Sequence, residues 1–208
     1  MARIVGDEND NDLRGGSAAD TIRGLGGHDT LAGLEGDDRL DGGEGDDLLR
    51  TDGTDGARDT DSADGGAGFD TIFGGYGADT LSGGDGDDLI QLAMVRNGFD
   101  AATDPAQDEV SGGAGYDIAA VTAGYDASTV DFSVAGEISV DGVVVALTSG
   151  IEAFAYQAEG PQRIIGSAVA DEIDGTGEND TVLGGSATTS SGFMTAPTGS
   201  RPDAATTS

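Results

Sequence analysis

The chain is 208 residues long and sets 40 acidic side chains against 9 basic ones, a formal charge of −31, with 38 glycines, 5% aromatic residues and neither Trp nor Cys. So little large apolar surface excludes an ordinary globular core, and the lack of Cys excludes a disulfide framework or a thiolate metal site. The charge opposes phosphate backbones and anionic lipid, which sets aside nucleic acid and membrane as partners and favours a cation.

The first ten residues, MARIVGDEND, hold no apolar run of the length a secretory signal needs. The longest aliphatic run, 143–147, is too short to span a bilayer. A soluble chain is expected, either kept inside the cell or exported without a cleaved N-terminal signal.

From Gly6 onward the chain divides into nines. Residues 6–50 read GDENDNDLR, GGSAADTIR, GLGGHDTLA, GLEGDDRLD and GGEGDDLLR. After an insertion at 51–55 come GARDTDSAD, GGAGFDTIF, GGYGADTLS and GGDGDDLIQ, and after a second insertion at 92–102 come TDPAQDEVS and GGAGYDIAA. These blocks make residues 1–120 one repeat region. Residues 121–165 differ: glycine thins, Val130, Phe132 and Val134 alternate, and ISV-DG-VVVAL reads as a hairpin about Asp141-Gly142, which predicts a small β insertion stacked on the repeats. Residues 166–183, GSAVADEID and GTGENDTVL, form a last pair of nines, and 184–208, rich in Ser, Thr, Ala, Gly and Pro, read as a disordered tail.

Two columns carry the pattern. The sixth position holds Asp20, Asp29, Asp38, Asp47, Asp61, Asp70, Asp79, Asp88, Asp108, Asp117, Asp171 and Asp180, with Asn11 as the substitute in the first repeat. The eighth is Leu, Ile or Val except at Ala63 and Ala119. The first six residues of each nine favour a turn, because glycine tolerates left-handed backbone, and the last three make a minimal strand with its middle side chain inward. Two repeats then close one coil, and repeats n and n+2 stack on the same edge at about 4.8 Å. Asp20 falls beside Asp38, Asp29 beside Asp47, Asp61 beside Asp79 and Asp70 beside Asp88. Unneutralised carboxylates that close repel by roughly 1 kcal/mol even in bulk water.

A hard divalent cation reverses that term. Calcium accepts six to eight oxygens in a flexible geometry, whereas magnesium demands a tighter octahedron, and one His without Cys leaves zinc and copper short of ligands. One buried aliphatic per nine residues falls well short of the entropy lost in ordering them, so folding is expected to depend on several calcium ions per chain.

GGAGFDTIF, GGYGADTLS, GGDGDDLIQ and GGEGDDLLR match G-G-x-G-x-D-x-U-x, where U is a large aliphatic residue. The chain thereby resembles the repeats-in-toxin (RTX), or hemolysin-type calcium-binding, family. The resemblance implies an all-β, right-handed parallel β-roll, a β-solenoid in which the sixth-position aspartates and turn carbonyls hold calcium between alternate repeats. Those carbonyls would include the fourth-position glycines Gly27, Gly36, Gly45, Gly68, Gly77 and Gly86. It also implies export by a type I secretion system and folding in extracellular calcium. Asn11 marks the first repeat as a cap, and Ala18, Ala106 and Val169 replace the fourth-position glycine.

His28 reads as an exposed spacer, the paired acids at 37–38, 46–47 and 87–88 as parts of the repeat, and the dispersed arginines as solvated surface. Phe132, Phe154 and Tyr156 are expected to pack the middle insertion. The chain shows no H-E-x-x-H, G-x-S-x-G or phosphate loop. The expected function is therefore non-enzymatic: a secreted scaffold, adhesive or surface-associated calcium-binding protein. The alternative is the C-terminal repeat region of a larger exported hydrolase or toxin.

Overall fold

A computed structural model describes residues 1–52, 58–92, 107–123, 129–131, 135–140, 143–158, 163–165, 170–174, 181–183 and 188–190. Each nine folds as its pattern dictates, a glycine turn followed by a short strand. In chain order the repeat strands are β1 (Arg3–Val5), β2 (Asp12–Arg14), β3 (Thr21–Gly26), β4 (Thr30–Leu34), β5 (Arg39–Glu44), β6 (Leu48–Asp52), β7 (Ser62–Ala67), β8 (Thr71–Gly75), β9 (Thr80–Asp85), β10 (Leu89–Leu92), β11 (Asp108–Ala114) and β12 (Ile118–Ala123). There follow β13 (Thr129–Asp131), β14 (Glu137–Val140), β15 (Val143–Ser149), β16 (Ala153–Ala158), β17 (Arg163–Ile165), β18 (Ala170–Asp174), β19 (Thr181–Leu183) and β20 (Thr188–Ser190).

From β1 to β12 successive strands alternate between two sheets, so each strand up to β10 pairs in parallel with the strand two places on. One sheet runs β1-β3-β5-β7-β9-β11-β15-β14-β13-β17-β19 and the other β2-β4-β6-β8-β10-β12-β16-β18-β20. This is a parallel β-roll. Its register keeps the eighth-position residues in columns: Ile22, Leu40, Ala63, Leu81 and Val110 in one sheet, Leu31, Leu49, Ile72, Ile90 and Ala119 in the other. All are at most 1% exposed and belong to a single core. Leu49→Ala removes a wholly buried side chain from this narrow stack and is expected to cost about 2–5 kcal/mol. Denaturant titration of the calcium-loaded protein measures it, and a cost under about 0.5 kcal/mol would contradict the core assignment.

The second inward position of each strand is the glycine that opens the next nine, and at three places a larger residue takes it. Thr51, Leu92 and Val121 are buried there. Strands β6 and β10 therefore run into the stretches that the nine-residue phase assigned to insertions. Thr51 and Leu92 stay in the ladder because their side chains point inward; the rest of those insertions, 53–55 and 93–102, lies outside the described residues.

The middle segment is woven into the sheets. Strands β14 and β15 pair antiparallel, Val140 opposite Val143, as the Asp-Gly hairpin signal anticipates, while β15 pairs in parallel with β11 and β16 continues β12. Phe154 joins the core beside Ala119; Phe132 lies outside the described residues. Within the stretch from 184 onward, Thr188–Ser190 pair with β18 as β20. Consecutive β-branched threonines beside an open strand edge favour that pairing.

Candidate metal centre

The sixth-position aspartates form a ladder along each edge of the roll. On the edge leading into the odd-numbered strands, the backbone N–H of Asp20 donates to Oδ1 of Asp38 (2.7 Å), that of Asp38 to Asp61 (2.7 Å), that of Asp61 to Asp79 (2.9 Å) and that of Asp79 to Asp108 (3.0 Å). On the other edge the sequence is Asn11, Asp29, Asp47, Asp70, Asp88 and Asp117, with bonds of 2.7–2.9 Å. One carboxylate oxygen of each aspartate thus closes a backbone donor one coil away.

The second oxygen is left without a donor. Oδ2 of Asp29, Asp38, Asp47, Asp61, Asp70, Asp79, Asp88 and Asp117 is buried and accepts no hydrogen bond. A lone buried carboxylate oxygen is costly unless something positive meets it. These oxygens turn in beneath the glycine opening their own repeat. A Cβ on Gly24 would fall on Asp29 Oδ2 and the carbonyl oxygen of Gly42, and the same trio recurs at Gly42 with Asp47 and Gly65, Gly65 with Asp70 and Gly83, and Gly83 with Asp88 and Gly112. Carboxylate and carbonyl oxygens therefore converge, coil after coil.

The fourth-position glycines stack the turns themselves. Gly27, Gly36, Gly45, Gly68, Gly77 and Gly86 all have φ between 101° and 136°. A Cβ on Gly45 would strike the Gly27 carbonyl, one on Gly68 that of Gly45, and one on Gly86 that of Gly68. Only glycine permits that approach, and it lines a column of carbonyls along the edge. Among the described residues no group of three or more His, Asp or Glu side chains converges, so carbonyls would have to supply most of a cation's ligands.

Burial of these carboxylates disfavours their charged form. It raises Asp38 and Asp47 to about 6, Asp70 to about 7 and Asp79 to about 9, and it shifts Asp61, Asp88 and Asp117 the same way. The backbone N–H bond opposes the shift, and the neighbouring carboxylates add to it.

A scan against family models matches the RTX calcium-binding nonapeptide repeat at residues 5–38, 23–55, 55–90 and 158–187, together more than half of the chain. The chain belongs to this RTX calcium-binding repeat family. No curated protein matches it. RTX repeats bind calcium, and the donor set here suits that ion: all oxygen, much of it from backbone carbonyls, on turns that adjust one against the next.

Several RTX positions differ from the repeat as read in sequence. Asp20 occupies its column, yet both its oxygens already accept N–H groups, Oδ1 from Ala2 and Oδ2 from Gly16 at 2.9 Å. The Ala2 bond, foremost, holds its carboxyl below the usual range, and neither oxygen of Asp20 is left without a donor. Asp171 lies out of register with the ladder: it pairs with Phe154, two places beyond Glu152, the residue level with Asp117, because β18 lies alongside β16 from Ala153↔Ala170. Asp180 lies outside the described residues. In place of Asp171, the Asp117 N–H donates to Oε2 of Glu152 at 2.9 Å, which extends the ladder by a coil. Gly150 with φ 60°, Glu152 and buried Phe154 hold the fourth, sixth and eighth places of a disguised nine, L-T-S-G-I-E-A-F-A.

Proposed function

We propose that this chain is a secreted calcium-folded roll whose work is structural, as an extracellular scaffold, adhesive or surface-associated module, and not catalytic. The row of buried, donorless Oδ2 atoms carries this reading, those of Asp29, Asp38, Asp47, Asp70, Asp88 and Asp117 lying beside a carbonyl of the next coil. Bound there, calcium would supply the positive charge and the six to eight coordination positions that those oxygens lack. Asp29, Asp47, Asp70, Asp88 and Asp117 would hold it on one edge and Asp38, Asp61 and Asp79 on the other. The glycine turns keep coils close enough for oxygens of two repeats to reach one ion, and the aliphatic columns fix the spacing. Without it the same edges bring like charges together, so the chain would leave calcium-poor cytosol unfolded, through a type I system, and order outside, where calcium modules typically work at ~10⁻⁴–10⁻³ M affinity.

Calorimetric titration of chelator-stripped protein with calcium tests the assignment. Replacing Asp29, Asp38, Asp70 and Asp79 together by Ala is expected to lower the number of ions bound. An unchanged stoichiometry would refute these residues as ligands.

A further inference from the structure

The outer face of the even-numbered sheet carries a hollow unrelated to the aspartate ladders. Pairing in register sets Arg14, Ala32, Arg50, Phe73 and Gln91 in one column across β2, β4, β6, β8 and β10. A cavity of about 620 Å³ opens along it, with Leu34, Asp52 and Tyr76 at its side. The two arginines stand two coils apart, about 10 Å, with the small Ala32 between them. Arg14 is paired with Asp12 of its own strand at 3.1 Å. Arg50 lies 5.2 Å from the centroid of the Phe73 ring, and among the described residues no carboxylate lies within ion-pair distance of it. In a chain with 40 acidic and 9 basic residues, an arginine without a carboxylate partner calls for one from outside.

The roll presents a matching ridge. Fifth-position residues on the edge that leads into the same sheet form an exposed ladder: Phe69 N–H donates to Asp46 Oδ1 at 2.9 Å, and Tyr116 N–H to Asp87 Oδ1 at 2.8 Å. The order along the edge is Asp46, Phe69, Asp87, Tyr116, one coil per step. Phe69 is 61% and Tyr116 46% exposed, large apolar surface on a chain that has little. Asp46 and Asp87 thus stand two coils apart with an aromatic ring between them, as Arg14 and Arg50 stand two coils apart with an alanine between them.

We propose that the hollow receives this ridge from a second copy of the chain, Phe69 entering over Ala32 while Asp46 and Asp87 meet the two arginines. Both columns have the pitch of a β-sheet, so matching one pair matches the others. Ridge and hollow are different surfaces of one molecule, so the contact is heterologous, and a bound pair still offers one free hollow on one copy and one free ridge on the other. Bound cations would offset part of the −31 that otherwise keeps copies apart, which makes the calcium-loaded roll the associating form. The inference rests on the proposed calcium-loaded state for that offset alone.

Because the chain has no Cys, single-cysteine variants report the contact directly. In calcium, a mixture of the Phe69→Cys and Ala32→Cys proteins is expected to form a disulfide-linked pair on mild oxidation much faster than either variant links to itself. Adding Arg50→Glu to the Ala32→Cys protein is expected to slow the linkage on the order of tenfold or more. Circular dichroism of each sample reports separately whether the roll is folded, so loss of the fold is not mistaken for loss of contact. Three outcomes would overturn the proposal: self-linkage as fast as in the mixture, no effect of Arg50→Glu on a folded roll, or a folded wild-type protein that sediments as a monomer up to millimolar concentration.

Discussion

Stripping calcium with excess chelator is expected to abolish most of the sheet signal of this chain near neutral pH and to restore it on adding the ion back. The reason lies in the ladder. Eight of its aspartates, at most 3% exposed, each bury an Oδ2 that accepts no donor, and they succeed one another at the spacing of neighbouring strands. The core cannot absorb that electrostatic cost, since each strand contributes one aliphatic residue and the next inward place is mostly glycine. Far-UV circular dichroism with and without chelator checks the result. Sheet content and thermal midpoint that do not change on chelation would mean that the roll stands without metal.

The second large effect is on pH, and its sign is opposite in the two states. In the metal-free roll the carboxyls of Asp38 and Asp47 titrate near 6, that of Asp70 near 7 and that of Asp79 near 9, above the ~3.9 of an unfolded aspartate. The folded form therefore holds protons that the unfolded chain has released, and stability falls as pH rises through that window. Acidification of chelated protein from about pH 8 to about pH 5 is expected to recover part of the sheet signal, protons taking over the neutralising role. In calcium the same protons compete with the ion, so apparent affinity is expected to weaken below about pH 7, with protons released on binding in that same range. Chelated protein equally disordered at both pH values, by dichroism with light scattering as a control for aggregation, would remove the carboxylate argument.

Much of this is legible in the sequence. The period of nine, the sixth- and eighth-position columns and the stacking of alternate repeats all follow from residue spacing, and the observed bonds from Asp20 to Asp38 and from Asp70 to Asp88 join the pairs that spacing names. What stayed hidden has physical reasons. Glu152 continues the ladder with one more methylene than Asp, and Phe154 fills the core where an aliphatic residue was sought, so neither matched the pattern. Asp171 matched it and yet sits out of step, because register in a parallel sheet is set by the neighbouring strand and not by the residue's own repeat. Sequence spacing also could not say which carboxylate oxygen is bound and which is bare. The fifth-position acids Asp46 and Asp87, read only as parts of the repeat, accept backbone donors from the next coil.

The ladder bonds hold between residues 18, 23, 29 and 35 positions apart, and their lengths stay between 2.7 and 3.0 Å throughout. The architecture therefore counts turns of the spiral and is indifferent to how much polypeptide is spent between them. Extra sequence looped out at such a junction leaves the periodic frame intact above and below, so these joints are natural ports at which foreign segments could be displayed without redesigning the frame.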